Sequence, residues 1–253
     1  MVADQMLHMP FYLDWKFWSA AVALLALILS QLPPLHILFR RSKLDVEAYS
    51  QIYITHKVGN PNAQMHIILS NTGGRELRVR GIDLVFNRDG NEEFILPAKN
   101  YFQSPNDIST VMLTSFKLKP EEEWAHLVSF LNFFPRQEEL MYRQLESNLR
   151  HDIMGKRELL QDKDKTVSAD DANVSPLLEM FEKKFRWKSG EYSVTLRIKT
   201  DPENLVTEKK FRITLFESDS LELRSYSNDY AYGFGVSLDS KRHLGLLIPL
   251  SES

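Results

Sequence analysis

Residues 190–200 read GEYSVTLRIKT, and the reading of this stretch decides the fold class. Tyr192, Val194, Leu196 and Ile198 take every second position, with Ser193, Thr195, Arg197 and Lys199 between them. A period of two puts the apolar set on one face of a strand and the polar set on the other, so one face is buried and one is wet. Asp201-Pro202-Glu203-Asn204 then turns the chain. Residues 206–216 return through Phe211, Ile213 and Leu215.

The same pattern runs through the first half. Residues 44–57, LDVEAYSQIYITHK, read as a long first strand rich in β-branched and aromatic residues. Gly59-Asn60-Pro61-Asn62 is a turn, residues 64–70 are a second strand, and Asn71-Thr72-Gly73-Gly74 is a strong turn signal. In residues 76–86, ELRVRGIDLVF, the step from Val79 to Ile82 breaks alternation at Gly81 and predicts a bulge. Asn87-Arg88-Asp89-Gly90 predicts a hairpin turn, and residues 93–96 return from it. Residues 109–118, STVMLTSFKL, form a further strand. In the tail, Tyr230, Tyr232 and Phe234 share one face of YAYGFGVSL, with residues 243–250 as a hairpin partner. Roughly seven to nine strands with regular turns and no strand–helix alternation predict an antiparallel β-sandwich. It is assigned residues 44–119 and 187–251.

Residues 120–186 read as a helical insertion. Pro120 with Glu121, Glu122 and Glu123 has the form of a helix start, proline first and acids against the dipole. The apolar run WAHLVSFLNFF would continue that helix. Residues 136–160 predict a second helix, with Met141, Leu145, Leu149 and Ile153 at four-residue steps. Residues 161–173 are polar and loop-like, and Ser175-Pro176 starts a third helix over 176–185. Two aromatic groups are candidates for a partner surface: Phe130, Phe133 and Phe134, and Tyr230, Tyr232 and Phe234. For both, burial against the sandwich or a neighbouring strand is the plainer alternative to docking.

Near the start, residues 17–39 read FWSAAVALLALILSQLPPLHILF, with no Asp, Glu, Lys or Arg. As a helix this run reaches about 34 Å, against a hydrocarbon core of about 30 Å. Tyr12, Trp15 and Trp18 sit where an interfacial aromatic belt forms, and Pro33-Pro34 ends or kinks the helix. Residues 17–39 are therefore read as one transmembrane helix behind a short segment, 1–16. Arg40, Arg41 and Lys43 follow the run and only Lys16 directly precedes it. The positive-inside rule then puts the C-terminal domain in the cytoplasm and the anchor in the inner membrane.

Lys and Arg total 31 against 34 for Asp and Glu, so no electrostatic footprint for nucleic acid is present. There is no cysteine, which removes disulfides, thiolate nucleophiles and cysteine-ligated metals together. No GKS/T, HExxH or GxSxG motif occurs, and Gly233-Phe234-Gly235 is only a fragment of a phosphate-binding glycine loop. His56, His66, His126, His151 and His243 are scattered without ligand spacing. No catalytic residue, metal site or cofactor is assigned.

Two stretches, SNTGGRELRVRGIDLVF at 70–86 and WKSGEYSVTLRIKT at 187–200, resemble immunoglobulin-like sandwich domains of bacterial surface and membrane proteins. The second is similar to the Gly-x-Tyr start of a late core strand in such domains. The cysteine pair that joins the sheets of true immunoglobulin domains is missing. The resemblance implies bacterial single-span membrane proteins carrying an immunoglobulin-like β-sandwich. The expected role is a non-catalytic adaptor, scaffold or assembly subunit. Its expected partners are the lipid bilayer and another protein, with a homo-oligomer also open. The alternatives are an extracytoplasmic envelope-binding or sensory sandwich, and a hydrolase or small-ligand sensor with dispersed acids and histidines.

Overall fold

The computed structural model describes residues 15–31, 41–90, 92–104, 107, 109–159, 166–201, 206–238 and 245–252. The first half holds α1 (Trp15–Gln31), β1 (Leu44–Ala48), β2 (Gln51–Lys57), β3 (Asn60–Asn71), β4 (Leu77–Arg88), β5 (Glu92–Phe102), β6 (Val111–Met112), β7 (Phe116–Leu118) and β8 (Glu123–Leu131). The second holds α2 (Arg136–Glu158), α3 (Asp171–Lys184), β9 (Gly190–Asp201), β10 (Thr207–Leu215), α4 (Glu217–Ser225), a 3₁₀ helix (Tyr226–Tyr232), β11 (Leu246–Pro249) and β12 (Ser251–Glu252).

The chain is mainly β, and its strands form one antiparallel sheet in the order β11-β2-β3-β8-β5-β4-β9-β10-β12. The two ends of that order, β11 and β12, are consecutive in the chain, separated only by Leu250. Leu250 itself donates to the Ser50 carbonyl at 2.8 Å. One C-terminal segment therefore pairs with β2 and then with β10, and nearly closes the sheet on itself.

Alternation explains the long strands. β3 buries every second side chain along its whole length, and β9 buries Tyr192, Val194, Leu196, Ile198 and Thr200. β4 carries the expected irregularity, with its register against β9 shifting between Val79 and Gly81. β5 changes partner along its length. Its first half pairs with β4 up to Pro97, and from Ala98 it pairs with β8 across a second register shift. Such a switch bends the sheet where β5 passes from one partner to the next. Trp187 ties β4 and β5 to β2. It is fully buried, packs edge-on to Phe86 and Phe94, and its Nε1–H donates to the Thr55 carbonyl on β2 at 2.7 Å.

The helices gather at the β2–β3 end. Val58 and Gly59 form that tight turn with φ values of 47° and 79°. A Cβ on Gly59 would stand 2.4 Å from the Phe181 carbonyl oxygen, so only glycine lets α3 sit there.

Several expectations need correction. Residues 120–131 do not start a helix. Pro120 and Glu121 make a turn, with Glu121 at φ 65°, and β8 follows between β3 and β5. Trp124, His126, Val128 and Phe130 alternate with Ala125, Leu127 and Ser129, and this period of two outweighs the acidic run before it. The helical insertion therefore runs only from α2 to α3. Residues 109–118 hold two short strands, β6 and β7, instead of one. The long first strand is interrupted at Tyr49 and Ser50, with both of its parts lying on β3. The third helix starts at Asp171, five positions before its expected start, with Pro176 inside it.

The tail does not form the expected hairpin. Residues 217–232 are helical, started by Asp219 accepting the Phe216 amide at 2.9 Å, and β11 pairs with β2. At the N-terminus, α1 covers 17 residues, and no helix among the described residues is long and apolar enough to cross a membrane. Residues 32–39 of the expected span, Arg40 and His243 lie outside the described residues.

Candidate functional site

Val22, Leu24, Leu25, Leu27, Ile28 and Leu29 on α1 are all exposed, and at 100° per residue they spread over about 220° of its circumference, with Lys16, Ser19, Ala23, Ala26 and Ser30 in the remaining arc. Trp15 and Trp18 are exposed at its first turn, at 75% and 58%. A helix on the surface of a globular domain buries one face, and this one buries none of these side chains.

Residues 41–43 are tied to the turn before β4. Gly73 donates to the Lys43 carbonyl at 3.1 Å and Gly74 to the Arg41 carbonyl at 3.4 Å. A Cβ on Gly73 would lie 2.5 Å from both the Arg41 oxygen and the Lys43 nitrogen. The backbone of residues 41–43 thus lies directly on the turn before β4, with the Arg41 and Lys43 side chains exposed. Asn71 secures that turn from inside. Its side chain accepts from Gly73 and donates to the carbonyls of Arg75 and Leu118, and its backbone pairs with Glu121 and Glu122. The helical end lies one β3 length away, about 36 Å at ~3.3 Å per residue.

The structure separates the predicted aromatic surfaces. Phe130 is fully buried in the sheet core. Phe134 packs on Tyr142 of α2 at 5.5 Å, and Phe133 is 70% exposed with the Lys99 ammonium 5.4 Å above its ring. Tyr230 is buried against Phe181, Tyr232 is exposed and Phe234 is half-buried. Neither trio makes one face, because Phe130 and Tyr230 belong to the core.

Groups held in their neutral forms cluster where helices meet sheet. Burial lowers the His56 pKa below its usual value, partly opposed by the Leu223 carbonyl bonded to Nε2 at 2.8 Å. Nδ1 accepts the Gly59 amide at 3.2 Å, so the proton sits on Nε2. Burial raises the Tyr142 and Tyr230 phenols well above the ordinary range and Tyr226 to about 12. The Tyr142 hydroxyl donates to the Val236 carbonyl at 3.0 Å, whereas the buried Tyr230 hydroxyl finds no protein partner among the described residues. None of these groups lines the hollow over β4, β9 and β10 or the two depressions along α2.

One hollow, of about 730 Å³, lies on the outer faces of β4, β9 and β10. Asn87, Ser193 and Thr195 are among its lining, with Glu93 towards β5 and Lys210 and Arg212 on β10. Arg197 is already paired with Glu208 at 2.8 Å. Among the described residues, no three His, Cys, Asp or Glu side chains are grouped to hold a metal ion. A surface feature that sequence reading passed over is the recurrence of arginine at 136, 143, 150 and 157 on α2. Its seven-residue step was the available signal.

No family model matches the chain, and no curated protein matches it. Among solved structures it is similar to Spo0M, the sporulation control protein from Bacillus subtilis, at 12% identity and a TM-score of 0.28. The match covers 74% of this chain and 55% of that one, so it spans about half of Spo0M's length. A likeness at this level says nothing about fold or function.

Proposed function

We propose that the chain is a membrane-held, non-catalytic interaction module. α1, with the residues that follow it, seats in the inner membrane, and the sheet with its helical cap presents surfaces to another protein. The observation that carries this reading is α1 itself, a helix whose large apolar side chains are all exposed, over more than half of its circumference. Such a surface is stable only where lipid replaces water. Arg40, Arg41 and Lys43 after it, against Lys16 alone just before it, favour a cytoplasmic domain. The clamped backbone of residues 41–43 would place the start of the domain, not its helical end, nearest the membrane.

The non-catalytic reading is supported by where the shifted groups lie. His56, Tyr142, Tyr226 and Tyr230 are packed between helices and sheet, whereas a catalytic acid or base has to reach an open cleft. An immunoglobulin-like relationship for the sheet is supported by Tyr192. Its hydroxyl bonds back to the Lys188 carbonyl at 2.7 Å, the contact of a tyrosine corner.

The test is alkaline carbonate extraction of membranes. The native chain should stay with the pellet, and Leu24→Arg with Ile28→Arg should release it. Release of the native chain would overturn the anchor. A reporter fused after residue 253 reads the side, and activity only on the exterior would overturn the cytoplasmic assignment.

A further inference from the structure

We propose that α2 carries a docking face for an acidic amphipathic helix of a partner protein. This rests on the reading of the chain as an interaction module and names the class of partner. Arg136, Arg143, Arg150 and Arg157 recur every seven residues, and Leu140, Ser147 and Met154 recur every seven between them. The two series interleave at steps of three and four, the spacing of a seam between helices. The side of α2 that packs onto the domain is a different one, through Tyr142, Leu149 and Ile153. The seam faces outward, with Leu140 64% and Met154 57% exposed and all four arginines exposed.

The seam is also hollow. A depression of about 180 Å³ lies over Arg143, Ser147 and Arg150. A second, of about 290 Å³, has Arg150, Met154 and Arg157 on one side and Ser237 and Leu238 on the other. Arg150 lines both, so they adjoin. Glu139 and Glu146 hold the Arg143 guanidinium at 2.7 and 3.1 Å, and Arg150 donates to the Ser237 carbonyl at 3.3 Å. Arg136 and Arg157 have no carboxylate partner among the described residues. The groove is therefore apolar at Ile153, Met154 and Leu238, and Arg143, Arg150 and Arg157 line it against one carboxylate, Glu146, which also stands 3.9 Å from Arg150.

Charge and spacing select the occupant. Seven helical residues rise about 10.5 Å, so a partner helix with carboxylates at seven-residue steps meets each arginine in turn. Guanidinium–carboxylate pairs are the strong form of this contact. A second copy of the chain fits poorly. Antiparallel pairing of two α2 helices would set the arginine rows against each other, and like charges across an interface are unfavourable.

The probe is a fluorescent four-heptad peptide with Leu at a and d and Glu at e and g. It is titrated by anisotropy against the full chain in zwitterionic detergent. Binding that weakens with salt is expected, and none for the same peptide with Lys in place of Glu. Arg150→Glu with Arg157→Glu should weaken binding about tenfold or more, with only a small fall in the unfolding midpoint from the lost Ser237 and Glu146 contacts of Arg150. If that pair disturbs folding, Arg136→Gln with Arg157→Gln removes guanidiniums without a carboxylate partner among the described residues and should act in the same direction.

Four results would overturn the proposal: no binding of the acidic helix, binding indifferent to the arginine changes, equal binding of a proline-interrupted acidic peptide, or self-association of the chain abolished by the same substitutions. Carbonate extraction of the arginine variants separates the two readings. They should remain in the membrane whether or not the peptide binds.

Discussion

His56 and Tyr230 show how single side chains hold the helical cap on the sheet. His56 lies among Phe181, Phe185 and Tyr226, and burial keeps its ring neutral. The unfolded chain takes up a proton near pH 6.5, whereas the folded chain does so only at lower pH. The unfolded state therefore binds more protons in that window, and stability falls as the pH drops below about 6.5. Urea midpoints at pH 7.5 and 5.5 should differ for the native chain and differ less for His56→Gln. An equal difference in both would remove His56 as the source. Tyr230→Phe deletes a buried hydroxyl without a partner among the described residues, and should leave stability unchanged or raise it by about 1 kcal/mol. Tyr142→Phe strands the Val236 carbonyl and should cost about 1–2 kcal/mol in the same denaturation assay. Neither role is legible in the sequence. His56 and Leu223 lie far apart in the chain, and a buried tyrosine resembles an exposed one until its neighbours are known.

Strands were legible where one face is buried along the whole element, as in β3, β9 and the bulged β4, because local alternation is then a direct record of burial. β8 was not, although it alternates too. Its preceding Pro120 and three glutamates imitate a helix start, and Asn71 is what captures Glu121 and Glu122 as a turn instead. That long-range contact overrides the local signal. Helix α2 was legible in extent and in most of its inward face: Leu149 and Ile153 are buried and Leu145 packs on the core, whereas in the first turns Tyr142 is buried in place of the exposed Met141. The clamp at the start of β1 invites a direct test. Gly73→Ala forces a Cβ into the backbone of residues 41–43 and should break both amide bonds there. Trypsin should then cut faster after Arg41 and Lys43, and the Gly74 amide should exchange faster, while the midpoint falls by only about 1–2 kcal/mol. Unchanged cleavage would mean that the hold on residues 41–43 does not depend on this contact.

Closure of the sheet belongs to the molecule as a whole, and it explains why the C-terminal apolar run was recognised as a strand but given the wrong partner. Leu246 lies opposite Ile54, about 190 positions away, and no local pattern specifies an edge at that distance. Ile248 is buried opposite Ile52, and two residues later the chain has crossed to β10, where Ser251 and Glu252 face Arg212 and Phe211. One short segment thus covers two edges that would otherwise carry free backbone donors and acceptors, the arrangement most prone to pairing with another chain. A chain ending at Gly245 should lose several kcal/mol, since Ile248 alone contributes about 2–4 kcal/mol. It should also self-associate in sedimentation through the exposed edges of β2 and β10. A synthetic peptide of residues 245–253 should bind the truncated chain, restore the unfolding midpoint and reverse the association, because it supplies both sets of pairings. Ile248→Asp in that peptide should abolish the rescue. A truncated chain that unfolds like the full one and sediments as a single species would show that the sheet stands without closure, and that the last strand is an accessory to it.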